Sequence, residues 1–215
     1  MSLKVKYKRY WRKTGMKGSI ANIFMQRLVK YRPKNFLEIG VFCGVTARNV
    51  CDLLHKLHGS EFKYTGVDLF GDIPSTKGEV VPKYLKNQYF NNPLKRIYYN
   101  YIIRENLNSI ESVTKFLEKY KSNVTLIKGD TNKVLKDYDF KEIDYVFLDG
   151  GHSYETVIND LHNLYNNLKD KRRIILCDDY NHPECPGLKK AIDEFAKTYH
   201  LKLEIIHGRF AELTT

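Results

Sequence analysis

The sequence predicts an α/β fold built on a doubly wound, mostly parallel sheet, and three observations support this. Short apolar runs rich in β-branched residues alternate with longer amphipathic stretches along most of the 215 residues, as strands and their covering helices do in a parallel sheet. Several of these runs end in an acid, most visibly Asp149 in VFLDGGHSY and the pair Asp178 and Asp179 in IILCDDY. The chain closes with LKLEIIHGRFAELT, two strand candidates about His207 and Gly208 that read as a final antiparallel hairpin.

Residues 4–13 form a basic arm around Trp11, read as a docking or oligomer contact or else a solvated tail. We set the arm at residues 1–18 and a single domain at 19–215, since this length suits one full core. A helix is expected from Ser19 to Tyr31: Ile20, Ile23, Phe24 and Leu28 share a face, and Pro33 follows its end. Strands are expected at Asn35–Ile39, Lys63–Asp68, Val124–Lys128, Ile143–Asp149 and Arg173–Asp178. Helices are expected at Ala47–Leu57, Ile110–Tyr120, Thr131–Tyr138, Tyr154–Leu168 and Leu188–Tyr199.

One segment breaks the alternation. From about 70 to 109 no strand is expected, and tyrosines, prolines and basic residues accumulate instead. Such an insert, at the ligand-bearing edge of a sheet, reads as a lid or substrate-recognition element, with an oligomerisation surface as the alternative.

The chain holds 36 Lys and Arg against 25 Asp and Glu, a formal charge of +11. That excess suits nucleic acid, an anionic membrane or a negatively charged substrate. No nucleic-acid motif accompanies it, and a codon bias toward Lys, Asn, Tyr and Ile would also produce it. No apolar run reaches the roughly 20 residues that span a bilayer, and the basic N-terminus lacks the apolar core of a secretory signal. Cys43, Cys51, Cys177 and Cys185 show neither a C-x-x-C pair nor a disulfide framework. Reduced, packed thiols and a cytoplasmic location are expected.

The strand ends carry the chemistry. Gly40 and Gly44 bracket a tight turn after the first strand, and the helix after it offers free N–H groups with Thr46 beside them. The G-x-G-x-x-G spacing of dinucleotide dehydrogenases is absent, and Glu38 before the turn would repel a pyrophosphate but welcome an ammonium group. Asp68 ends the second strand where a ribose-binding acid falls. Asp130 and Thr131 end the third, fit to meet an adenine amine. Asp149, Asp178 and Asp179 would converge at the same edge, and three carboxylates there call for a cation; all-oxygen ligation suits Mg²⁺ or Mn²⁺. A ligand with a carboxylate, an ammonium, a ribose diol and an adenine matches this set: S-adenosylmethionine.

On EIGVFCGVT, LDGGHSY and CDDY, the chain resembles the class I S-adenosylmethionine-dependent methyltransferases, in particular the divalent-metal-dependent O-methyltransferases of the catechol and macrocin types. The resemblance covers roughly residues 19–215 apart from the insert. It implies a Rossmann-like seven-stranded sheet whose last strand runs antiparallel. It also implies that Glu38, Gly40, Phe42, Gly44 and Thr46 hold the methionine end, Asp68 the ribose, and Asp130 with Thr131 the adenine side. Asp149 would lie against the cofactor and, with Asp178 and Asp179, hold the metal, Mg²⁺ being expected. Phe42 stands where many methyltransferases have glycine and the catechol branch an aromatic. His152 stands where the catechol enzymes place a lysine base.

The function expected is metal-assisted methyl transfer to a hydroxyl of a small molecule: a vicinal diol, catechol or sugar, with an anionic acceptor suggested by the basic insert. His152 is the expected general base, and His182 a candidate for the acceptor pocket. Two alternatives stand beside this. One is methylation of an RNA or protein nitrogen, against which the chain has Asp149-Gly150-Gly151-His152 where those enzymes carry Asn/Asp-Pro-Pro-Tyr/Phe. The other is a non-catalytic binding subunit, which would have no reason to keep three repelling carboxylates. The arm and the insert are each candidate homodimer surfaces.

Overall fold

A computed structural model describes residues 5–71, 79, 90–168 and 173–214. Within them the sheet has seven strands: β1 (Asn35–Ile39), β2 (Lys63–Asp68), β3 (Val124–Lys128), β4 (Tyr145–Leu148), β5 (Ile174–Cys177), β6 (Lys202–Ile206) and β7 (Phe210–Thr214). Their spatial order is β3-β2-β1-β4-β5-β7-β6. The first five are mutually parallel, while β7 runs antiparallel to both β5 and β6. The chain leaves β1 toward β2 on one side and returns to β4 on the other. The switch point of the topology therefore lies between β1 and β4, where open α/β sheets form their ligand crevice.

Alternation along the strands sorts the core into two layers. Phe36, Tyr64, Tyr145, Phe147, Leu176 and Phe210 face α1 (Gly18–Tyr31) and α2 (Val45–His58). Leu37, Ile39, Val146, Leu148, Ile175 and Leu213 face the opposite layer. That layer is α5 (Thr131–Asp137), α6 (Tyr154–Leu168) and α7 (Pro186–Thr198). β4 and β5 are buried at every position, so they read as continuous apolar runs, whereas the edge strand β3 is only partly covered.

Element types agree with the sequence reading, with shifts at the ends. β4 and β5 stop one residue before their acids, although the Asp149 and Asp178 N–H groups still donate to the Ile39 and Leu148 carbonyls. The expected helix at Ile110–Tyr120 is α4 (Ile110–Phe116) followed by a 3₁₀ turn at Glu118–Tyr120. Of the expected insert, residues 72–78 and 80–89 lie outside the described residues. Its described part holds a short helix, α3 (Pro93–Ile97), running into a π-helical turn at Tyr98–Ile103. The closing hairpin turns at His207 and Gly208, both with positive φ, and the Arg209 N–H returns to the Ile206 carbonyl at 3.1 Å.

The arm is docked, not a solvated tail. The Tyr7 hydroxyl meets the Thr46 hydroxyl at 2.9 Å, and the Asn49 side chain bonds both the N–H and the carbonyl of Lys8. Arg12 donates to the Cys43 and Leu107 carbonyls and to the Ser112 hydroxyl. Residues 5–17 thus lie along α2 and across the turn that precedes it.

Candidate functional site

The turn after β1 is dictated by close approach. Gly40 has φ +90°, and a Cβ there would stand 2.2 Å from the Asp149 carbonyl oxygen, so only glycine lets β1 and β4 end this close together. Gly44 caps α2 in the left-handed region, and Phe42 between them also takes a positive φ. A non-glycine residue held there stores strain that its surroundings must impose. Asp68 imposes it: one oxygen accepts from the Phe42 N–H at 2.8 Å and the other from the Phe70 N–H at 2.6 Å. Burial raises the Asp68 pKa, against the pull of these N–H donors.

Glu38, one residue before the end of β1, is fully buried. Tyr64 donates its hydroxyl to one carboxyl oxygen, and the other has no hydrogen-bond partner. Burial pushes Glu38 up to about 8, the Tyr64 hydrogen bond opposing and the Asp68 charge adding. A buried oxygen lacking a partner, beside a glycine cradle, fits a ligand that brings its own donor, such as an ammonium group. Thr46 is at the same turn, but its hydroxyl is engaged with Tyr7. Asp130 caps α5 through the Asn132 N–H at 2.9 Å, so Asp130 and Thr131 sit at the C-terminal end of β3 as expected.

The ends of β4 and β5 bring Asp149, Asp178 and Asp179 together, with one oxygen from each within 4.8 Å of the others. This donor set fits a hard divalent cation. Asp179 reaches it through another positive φ, +55°, immediately after β5. Burial, then the charges of Asp178 and Asp179, hold Asp149 well above the usual carboxylate range.

The structure adds a cation that the sequence reading missed. Arg209 donates to both oxygens of Asp178 at 2.6 Å and lies 3.3 Å from Asp179. Its own carbonyl accepts from the Tyr180 N–H at 2.8 Å, which anchors the hairpin turn beside the end of β5. The need for a cation among these acids is therefore met in part by the protein. A divalent ion using all three carboxylates would share Asp178 with the guanidinium.

His152 is buried at 8% exposure between two carboxylates, its Nδ1 3.7 Å from Glu79 and its Nε2 3.8 Å from Asp179. Burial alone would lower its pKa, but Asp179 and Glu79 outweigh it and raise His152 to about 9. The expected general base is thus an imidazolium near neutral pH in this arrangement, and cannot accept a proton while both partners hold it. Glu79 also takes the N–H groups of His152 and Ser153 and the Thr156 hydroxyl, closing the start of α6. Burial opposes its charge, yet the His152 ring and then these donors hold Glu79 down at about 2.

Two cavities meet at this edge. A small one of about 50 Å³ lies between arm residues Lys13–Met16 and the turn Gly40–Thr46, with Asp149, His152 and Asp179 in its wall. A larger one of about 700 Å³ continues outward from Lys13, Thr14, Gly15 and Arg209 toward Trp11, Phe90 and His182.

Residues 37–180 match the family described as "Methyltransferase domain". No curated protein matches the sequence. Among solved structures, the chain is similar to the O-methyltransferase NovP at 19% identity and a TM-score of 0.61, over 86% of this chain and 74% of that one. It is similar to a methyltransferase of Podospora anserina, PaMTH1, solved with S-adenosylhomocysteine, at 15% identity and a TM-score of 0.57, over 92% and 79%. It is also similar to the calicheamicin methyltransferase CalS11 at 16% identity and a TM-score of 0.61, over 96% and 80%.

Proposed function

The chain belongs to the methyltransferase-domain family, and on that premise we propose that it is an S-adenosylmethionine-dependent O-methyltransferase acting on a small molecule with neighbouring hydroxyls. The observation carrying this reading is the convergence of Asp149, Asp178 and Asp179 within 4.8 Å, beside a glycine turn with a partnerless buried carboxyl oxygen. NovP, similar in fold, is described as an O-methyltransferase. The four cysteines are free and buried, which suits a reducing cytoplasm.

Gly40, Phe42 and Gly44 would receive the methionine end of the cofactor, with Glu38 facing its ammonium group. Asp68 keeps lone pairs for the ribose hydroxyls while it braces the turn, and Asp130 with Thr131 borders the adenine. When bound, the cofactor supplies a methyl group already activated on a sulfonium, so the protein has to position the acceptor oxygen and remove its proton.

In the first reading Asp149, Asp178 and Asp179 would hold a divalent ion, Mg²⁺ being the expected one, which would supply the charge that acidifies the acceptor hydroxyl. Such a charge would also oppose the hold of the carboxylates on the His152 proton. His152, whose Nε2 lies 3.8 Å from Asp179, would then be the group that takes the acceptor proton. Arg209 favours a second reading, in which the guanidinium supplies the positive charge permanently. There Asp149, in the wall of the small cavity beside His152, takes the proton, and His152 stays charged to orient the acceptor. Hydroxylated acceptors screened for S-adenosylhomocysteine release, with Mg²⁺ and with EDTA, decide between them. Loss of turnover in EDTA supports the first reading and persistence the second. Absence of release from every diol, catechol and sugar tried would sink both.

A further inference from the structure

The larger cavity is lined by Arg9, Arg12, Lys13, Lys17, Lys95 and Arg209, and by no Asp or Glu among the described residues. Two of these cations are already committed. Arg209 is held by Asp178 and Asp179, and Arg12 by the Cys43 and Leu107 carbonyls and Ser112. Arg9, Lys17 and Lys95 make no ion pair with any described residue. Burial and then the Arg9 charge lower the Lys95 pKa.

The cavity is also built. Trp11 packs edge-on against Tyr98 at 5.3 Å and near Tyr99 at 6.1 Å, the Tyr99 hydroxyl reaches the Trp11 carbonyl, and Lys95 lies 5.4 Å from the indole. These contacts fix the arm against the 90–103 segment and leave Trp11 48% exposed, an apolar face beside the charges. A volume of about 700 Å³ falls in the range of small-molecule sites. At its inner end, Arg209 and His182 connect it to the carboxylate cluster.

We propose that this cavity is the acceptor site and that its occupant is a hydroxylated small molecule carrying a phosphate or diphosphate. Its anionic group lies among Arg9, Lys17 and Lys95, its ring lies on Trp11, and its hydroxyls point toward Asp149 and Asp179. A single carboxylate would answer one of these three cations, which have no ion-pair partner among the described residues, whereas a diphosphate answers two or more and accepts from several donors at once. A sugar phosphate and a nucleotide-linked sugar share this chemistry. The assignment as acceptor rests on the methyltransferase reading above; the anion site itself does not.

Trp11 is the only tryptophan, so its emission reports occupancy directly. The full chain is titrated with inorganic pyrophosphate, a hexose 1-phosphate, a nucleoside diphosphate hexose and an uncharged methyl hexoside. S-adenosylhomocysteine is titrated separately by calorimetry. Saturable, salt-sensitive binding of the phosphorylated probes but not of the hexoside is expected. The double variant Arg9→Gln/Lys95→Gln, at one exposed and one half-buried position, should weaken it about tenfold or more with S-adenosylhomocysteine affinity unchanged. The tighter of the hexose 1-phosphate and the nucleotide-linked hexose identifies the source. Failure of pyrophosphate to bind while S-adenosylhomocysteine does, or equal affinity in the double variant, overturns this proposal alone. Phosphate binding that follows the variant in a protein unable to bind S-adenosylhomocysteine supports the anion site and sinks the methyltransferase reading. Tighter binding of a short single-stranded RNA than of any phosphorylated sugar overturns the small-molecule assignment.

Discussion

Replacing Arg209 by methionine tests how the carboxylate cluster is neutralised. The change keeps an unbranched chain but removes both 2.6 Å hydrogen bonds to Asp178, a side chain only 1% exposed, and the 3.3 Å contact with Asp179. Three carboxylates then share a site with oxygens within 4.8 Å. At an effective dielectric of about 20, each pair at that separation repels by roughly 3.5 kcal/mol. Protonation limits the total, so the expected loss is that of breaking a buried pair, about 3–5 kcal/mol. For a chain of this size that lowers Tm by about 6–20 °C.

The sign with pH follows from Asp178, whose pKa burial already raises and Arg209 restrains. Without Arg209 it rises further, so stability is lost progressively as pH climbs above the unfolded value of about 3.9. The gap between variant and wild type opens upward from there and is widest at neutral and alkaline pH. Divalent ion reverses it: Mn²⁺ at about 100 times its Kd returns roughly 2.7 kcal/mol, and more fully in the variant, where no guanidinium competes. The assay is thermal unfolding of both proteins in EDTA and in Mn²⁺, at two pH values. Equal stability in EDTA, or a variant that Mn²⁺ stabilises no more than wild type, would refute the reasoning.

Three further outcomes are expected. Glu79→Gln should cost about 1–2 kcal/mol near neutral pH, as it weakens both the closure of α6 and the pairing with His152. The ionic part of that difference is full between about 4.5 and 6.5, disappears as pH rises through about 9 where His152 loses its proton, and fades as pH falls from 4.5 toward 2; a flat difference in Tm across this range would contradict the pairing. Asp68→Ala should weaken S-adenosylhomocysteine about 30-fold or more in calorimetry, since two hydrogen bonds to a carboxylate brace the turn. Asp178→Ala should leave that affinity nearly unchanged while abolishing turnover, and the reverse pattern would refute both roles. Gly40→Ala should destabilise by about 2–4 kcal/mol in chemical unfolding, because its Cβ would meet backbone at a positive φ; a neutral effect would mean that β1 and β4 do not end in contact.

Much of the fold was legible because its signals are local. β4 and β5 are apolar at each position since both faces are covered, and His207-Gly208 turns because both residues accept positive φ. The glycine turn and the acids at strand ends were legible for the same reason. What the sequence hid depends on contacts distant in the chain. In the sequence Arg209 is one cation among 36 Lys and Arg. A signal existed, however: antiparallel pairing of Cys177 with Ala211 carries Arg209 opposite Asp179, so the hairpin register could have found it. Glu79 sat in a segment without periodicity, and nothing local links it to His152, 73 residues away. His152 itself was read from its intrinsic pKa, which two flanking carboxylates override. The arm's composition suggested a tail, whereas Tyr7, Lys8 and Arg12 each find partners on or near α2.

Proximity between the bound cofactor and the carboxylate cluster is most directly read by magnetic resonance. The full chain is saturated with S-adenosylmethionine labelled with ¹³C at its methyl group and titrated with Mn²⁺. Strong paramagnetic broadening of the bound methyl signal, reversed by EDTA and absent in Asp149→Ala, is the result expected. A bound methyl signal that stays sharp at saturating Mn²⁺, or one broadened equally in Asp149→Ala, would contradict the account.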